Sequence, residues 1–71
     1  MGSVYKIVEL VGTSESSWEE AAATAVSTAG ASLRDLRIAE VTDLDLQLGK
    51  DGSISAYRAK VKLSFKHEAS S

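Results

Sequence analysis

The stretch LRIAEVTDLDLQL-GKDGS-ISAYRAKVKLSFK, residues 36–66, decides the fold. In its first half the apolar side chains fall on even positions, Leu36, Ile38, Leu44, Leu46 and Leu48, with Glu40 and Thr42 interrupting. Arg37, Ala39, Val41, Asp43, Asp45 and Gln47 take the odd positions. In the second half the parity reverses: Tyr57, Ala59, Val61, Leu63 and Phe65 share one face, and Arg58, Lys60, Lys62, Ser64 and Lys66 the other. A period of two is the signature of β-strands, so Leu36–Leu48 and Ile54–Lys66 are expected to form a long hairpin closed by the turn at 49–52. A turn over those four residues pairs Leu48 with Ser53, Leu44 with Tyr57, Ile38 with Leu63 and Leu36 with Phe65. On the opposite face it sets Asp43 against Arg58. Apolar then meets apolar and acid meets base, and a one-residue slip would destroy both matches. A bulge near Glu40 and Thr42 would shift the register locally.

Ahead of the hairpin, VYKIVELV at residues 4–11 reads as a strand rich in β-branched and aromatic side chains. Gly12-Thr13-Ser14 is expected to break it, and a helix to follow. Ser16 to Glu19 matches a capping box, with Ser16 accepting from the Glu19 amide. Trp18, Ala21, Ala22, Ala25, Val26 and Ala29 recur at the spacing of an apolar helical stripe, which Gly30 is expected to stop. Most of that stripe is alanine, so the helix can lie close to a sheet but covers little of it.

The whole chain, 1–71, is expected to be one domain, near the lower size limit for folding alone. There is no Cys and a single His, His67, which excludes disulfides and thiolate or His-rich metal sites. A helix of ~15 residues spans ~22 Å, against ~40 Å for each long strand. One small-residue helix therefore leaves much of the hairpin bare, and association with other copies is the expected remedy. A net charge of −2 argues against a nucleic-acid partner, and no apolar run is long enough for a membrane helix. The N-terminus has no basic segment and apolar core of a signal peptide, so the cytoplasm is the expected compartment.

Catalytic constellations are missing from the sequence. His67 stands in a polar tail, and Ser14, Ser16 and Ser17 are explained by helix capping, so no enzymatic turnover is expected. Asp43 and Asp45, two apart on a strand, point to one face and could hold a hard cation together with carbonyls and water. The plainer alternative is a solvated face neutralised by Arg58 and Lys60. Trp18 likewise reads either as a stacking platform for a ligand or, at helical spacing, as core.

The order strand–helix–long strand–long strand resembles the dodecin family. The resemblance is carried by VYKIVELVGTS at residues 4–14, LRIAEV at 36–41 and AYRAKVKLSF at 56–65, and runs from Val4 to Glu68. It implies an α+β fold in which a three-stranded antiparallel sheet (β-α-β-β) partly wraps one helix. It also implies twelve copies closed into a hollow homododecamer of cubic symmetry. Most family members bind flavins such as riboflavin or FMN, two stacked at each twofold contact between subunits. A Trp at the start of the second strand sandwiches the ring, and a Gln on the third grips its polar edge. Those positions are occupied here by Ile38 and Arg58, so both signature residues are replaced. Asp43 and Gln47 fall where the family lines the pocket with polar groups. An aromatic stack contributes roughly 0.5–1.5 kcal/mol beyond its area, which Ile38 cannot supply.

Within the family the chain is most similar to the actinobacterial-type calcium dodecin branch. It shares the Ser17-Trp18-Glu19 helix start, the Arg37–Ala39 segment and the Ser64–Lys66 ending. That likeness implies calcium, for which Asp43 and Asp45 are the candidate ligands on carboxylate chemistry. The expectation is a non-enzymatic bacterial shell that sequesters a small ligand or ion, calcium-type, with flavin binding weakened or lost. The alternative is a flavin-storing dodecin with an altered pocket.

Overall fold

Four elements follow one another in the expected order: β1 (Tyr5–Ser14), α1 (Trp18–Gly30), β2 (Leu36–Leu48) and β3 (Ile54–Lys66). They are seen in a computed structural model that describes residues 2–67. Met1 and residues 68–71, including Glu68 at the end of the family likeness, lie outside the described residues. The three strands form one antiparallel sheet in the order β1-β3-β2, so β3 is central. Both hairpin strands have the bounds that alternation predicts. β1 does not: it continues past Val11 through the residues expected to break it, with Gly12 opposite Ala59 and Ser14 opposite Tyr57. The stretch 12–14 is therefore ladder, not a loop that could cradle an anion.

Small side chains let the helix sit low on the sheet. Ala21, Ala25 and Ala29 of α1 are buried against Ala59, Val61 and Leu63 of β3, with Val8, Leu10, Ala22, Val26, Leu33 and Leu36 packed around them. Gly12 lies under the seam: a β-carbon there would collide with the carbonyl oxygen of Ala21 and stand 3.0 Å from the Ala25 Cβ. The helix start is capped one residue later than the capping box suggests. Ser17, not Ser16, is the N-cap, and its hydroxyl accepts from the Glu20 amide at 3.0 Å. Ser14 Oγ accepts from the Ser16 amide at 2.9 Å and donates to Glu20 Oε1 at 2.7 Å, which ties the end of β1 to the first turn of α1. Gly30 does end the helix, with Ala31 as C-cap in the right-handed region.

The hairpin register departs from the expected one, and the turn shows why. Gly52 has φ 85°, which glycine tolerates and which makes Lys50-Asp51-Gly52 a three-residue loop. Gly49 N–H then donates to Ser53 O at 2.7 Å and Gly52 N–H to Gly49 O at 3.0 Å. Leu48 consequently faces Ile54 rather than Ser53. Further irregularities fall between Gln47 and Leu48, between Val41 and Asp43, and between Leu36 and Ile38. The second is the bulge anticipated beside Thr42. Only Leu36 opposite Phe65 survives from the expected pairs; Ile38 faces Ser64, Leu44 faces Ala59 and Asp43 faces Lys60.

These bulges solve the problem that Glu40 and Thr42 posed. They re-phase β2 so that Ala39, Val41, Leu44 and Leu46 lie opposite Leu63, Val61, Ala59 and Tyr57, the helix-side residues of β3. That face is nevertheless poorly covered, because α1 packs over β1 and β3 and barely reaches β2. Val41 is left 47% exposed and Leu44 53%. With the molecule 55 Å long and a 13-residue helix spanning only ~20 Å, the far end of the hairpin projects unclad.

Candidate functional site

On the face of the hairpin turned away from α1, β2 contributes Asp43, Asp45 and Gln47, opposite Lys60, Arg58 and Ala56 of β3. The acid that meets Arg58 is thus Asp45, not Asp43. Arg58 grips it with two hydrogen bonds, Nε donating to Oδ1 at 2.7 Å and Nη2 to Oδ2 at 3.0 Å. Such a fork matches guanidinium to carboxylate better than any single contact. The bonds from Arg58, and its charge together with that of Lys60, hold the Asp45 carboxyl below its ordinary value, and Asp45 in turn raises Arg58. Asp43 makes no side-chain hydrogen bond or ion pair among the described residues.

Trp18 locks onto the same strand from the helix side. Its indole N–H donates to the Asp45 carbonyl at 3.1 Å, and its ring meets Tyr57 edge-on, centroids 5.2 Å apart at 81°. It is half-buried rather than core, and it forms the wall of an apolar groove of about 550 Å³ with Glu19, Ala22, Val41 and Leu44. Its link to Asp45 went unseen in the sequence, because a helical stripe reports a buried face but not what an indole nitrogen reaches.

Of the four positions tied to the flavin pocket, the fold gathers Asp43, Gln47 and Arg58 on one patch and leaves Ile38 apart. Ile38 stands opposite Ser64, six residues along β3 from Arg58, or ~20 Å at strand rise. A pocket using both would have to draw them from two chains. Ile38 is 59% exposed and offers no π-face, and the Arg58 fork is already engaged, so these residues do not fit the flavin chemistry that the resemblance implies.

The metal pair also falls short within one chain. Both Asp45 oxygens are held by Arg58, and no three His, Cys, Asp or Glu side chains converge on a point among the described residues. Calcium takes about six to eight oxygens, so one chain supplies too few. His67 lies exposed just beyond β3, with its backbone N–H on Val4 O at 2.8 Å. Among the described residues no helix is long and apolar enough to cross a membrane.

A three-stranded antiparallel sheet partly wrapping one helix, with a polar patch on its exposed hairpin, defines a small β-α-β-β fold. Residues 4–68 match the family model described as Dodecin, and the chain belongs to the dodecin family. It is 47% identical over 64 residues to calcium dodecin of Mycobacterium tuberculosis, covering 90% of this chain and 89% of that one. It is 40% identical over 68 residues to dodecin of Thermus thermophilus, covering 96% and 97%. The crystal structure of the mycobacterial calcium-chelating antigen, calcium dodecin, described with a novel calcium-binding site, superposes with a TM-score of 0.82 at 45% identity, over 97% of each chain.

Proposed function

We propose that the chain, as a single domain spanning residues 1–71, assembles into a hollow homododecamer in the cytoplasm and sequesters a small ligand or ion without turnover. Calcium is the cargo this reading favours, with flavin binding weakened or lost. The observation that carries it is the closed Arg58–Asp45 fork at the position where a flavin-reading amide would stand. The similarity to calcium dodecin points the same way. The bare apolar face of Val41, Leu44 and Leu46 supports assembly, since a second copy would bury what α1 leaves open. Asp43 is the carboxylate ready for a cation; Asp45 joins it only if Arg58 releases its oxygens, and a neighbouring copy or water completes the shell.

Separate titrations of calcium and riboflavin into the full chain test this. Calcium should bind, Asp43→Asn with Asp45→Asn should weaken it, and Arg58→Ala should strengthen it by freeing Asp45. Calcium affinity unchanged in both variants would remove these residues from the site. Micromolar or tighter riboflavin binding would instead support the second reading, a flavin store with an altered pocket, for which Asp43 and Gln47 still share a face with Arg58.

A further inference from the structure

We propose that the tip of the hairpin is a self-modification site, where Asp51 isomerises to isoaspartate through a cyclic imide closed by the Gly52 nitrogen, with Ser53 as its restraint. Asp35, Asp43 and Asp45 each precede a leucine, whose side chain crowds the amide nitrogen that would close such a ring. Asp51 alone among the aspartates precedes a glycine. Asp51, Gly52 and Ser53 are all exposed. A β-carbon built on Gly52 would have nothing within 4 Å, so a ring at this peptide meets no wall. The step needs no co-reactant. The Gly52 amide nitrogen attacks the side-chain carbonyl carbon of Asp51 in its carboxylic-acid form. The N–H proton and the carboxyl hydroxyl leave together as water, and the imide closes. Water then re-enters at either ring carbonyl. Breaking the bond from nitrogen to the side-chain carbon restores aspartate, whereas breaking the bond to the main-chain carbon leaves isoaspartate, with the same mass.

Two sets of contacts in the closed turn oppose the attack. Ser53 Oγ donates to Asp51 Oδ1 at 2.6 Å, and the Ser53 amide donates to the same oxygen at 3.1 Å. Those bonds hold the Asp51 carboxyl below its ordinary value and so keep it ionised, and an ionised carboxylate has no hydroxyl to lose as water. On the other side of the peptide bond, the Gly52 N–H is engaged by Gly49 O at 3.0 Å. Attack therefore waits on local opening of the turn, the kind of fluctuation that an exposed tip undergoes most readily. The product matters because of where it forms. Isoaspartate routes the chain through the side-chain carbon and adds one methylene to the backbone of the three-residue loop. That loop, with Gly52 at φ 85°, is what sets Leu48 opposite Ile54 and, further along, Asp45 opposite Arg58. Register at the tip is thus exposed to a change of covalent length that no substitution has made. Asp51, Gly52 and Ser53 lie outside the Asp43–Arg58 patch, so the inference stands apart from the calcium reading.

The test is prolonged warm incubation of the full chain, in parallel at about pH 5 and about pH 8. Isoaspartate is counted by methyl uptake from S-adenosylmethionine with an isoaspartyl methyltransferase, and located by electron-transfer fragmentation in a mass spectrometer. It should accumulate at Asp51 and not at Asp35, Asp43 or Asp45, with the imide visible in transit as the loss of one water. Accumulation should be faster at the lower pH, where more of the carboxyl is protonated. Ser53→Ala should raise the rate about threefold or more through loss of the hydroxyl bond. Ser53→Thr, which keeps the hydroxyl, should match the parent, and Asp51→Glu should abolish the signal. Circular dichroism on each variant confirms that the hairpin is still formed. No isoaspartate at Asp51 in the unaltered chain after several weeks overturns the proposal. So does equal accumulation at the aspartates that precede leucine. A Ser53→Ala rate equal to the parent's overturns the role given to Ser53.

Discussion

Replacing Gly12 by alanine tests whether the small-residue seam sets the height of α1 above the sheet. The added β-carbon would collide with the carbonyl oxygen of Ala21, and the Ala25 Cβ lies 3.0 Å away. The first obstacle is main chain inside a helix, so no rotamer change relieves it and the helix must lift. Overpacking of this kind costs ~1–3 kcal/mol, and a rigid obstacle puts Gly12→Ala near the upper end. In a domain of this size each kcal/mol moves the thermal midpoint by ~4–8 °C, so a fall of about 10–20 °C is expected. Gly30→Ala is the control. There an added β-carbon finds its nearest neighbour, Leu36 Cδ1, at 3.9 Å, and replacing a helical glycine gains ~0.5–1 kcal/mol. Its midpoint should rise by a few degrees. The assay is thermal unfolding by circular dichroism at one fixed protein concentration, because self-association would make the midpoint concentration-dependent. A Gly12→Ala midpoint within about 3 °C of the parent would refute the close approach of helix and sheet.

Two further outcomes probe the hairpin. Trp18→Phe keeps an aromatic edge against Tyr57 but removes the donor to the Asp45 carbonyl, and should cost about 0.5–1.5 kcal/mol in denaturant unfolding. Trp18→Ala should cost clearly more, and equal losses would mean that the ring contact contributes nothing. Acid should also loosen the Asp45–Arg58 fork. The fold lowers the Asp45 pKa from 3.8, so the unfolded chain binds the extra proton first; the stabilisation is present above 3.8 and is lost as pH falls through the lowered value. Unfolding midpoints followed from about pH 6 down to about pH 3 should therefore fall less steeply for Asp45→Asn than for the parent. Some acid sensitivity should remain in that variant, because hydrogen bonds from Ser53 also lower Asp51. Identical profiles would mean that the fork contributes no acid sensitivity.

The fold was legible because period-two alternation over two strands of 13 residues and a period-3.6 alanine stripe are strong, local signals. The extension of β1 was not. Gly12-Thr13-Ser14 has the composition of a break, yet Gly12 is in the strand because only a residue without a β-carbon fits beneath Ala21. A glycine required by a close approach looks the same in sequence as one required by a turn. The helix cap shifted for a similar reason. Three serines compete at 14, 16 and 17, and the choice of Ser17 follows from Ser14 being held in the ladder opposite Tyr57.

The site was legible in its residue types but not in its pairing. Charge complementarity named Asp43, Asp45, Arg58 and Lys60 as one patch, and that patch exists. Which acid meets Arg58 depends on the length of the turn and on the register shift between Gln47 and Leu48. Two of these features trace to particular residues: Gly52 accepts a positive φ, and the bulge at Thr42 keeps Glu40 and Thr42 off the helix side. The consequence reaches function. Had Asp43 faced Arg58, Asp45 would have been the open carboxylate, beside the carbonyl that receives Trp18. With the three-residue turn and the shift at Gln47–Leu48 in place the fork closes on Asp45, directly beneath the indole hydrogen bond, and Asp43 stays opposite Lys60. Turn geometry at Gly52 and the strand irregularity between Gln47 and Leu48 therefore decide which carboxylate this hairpin can offer a cation.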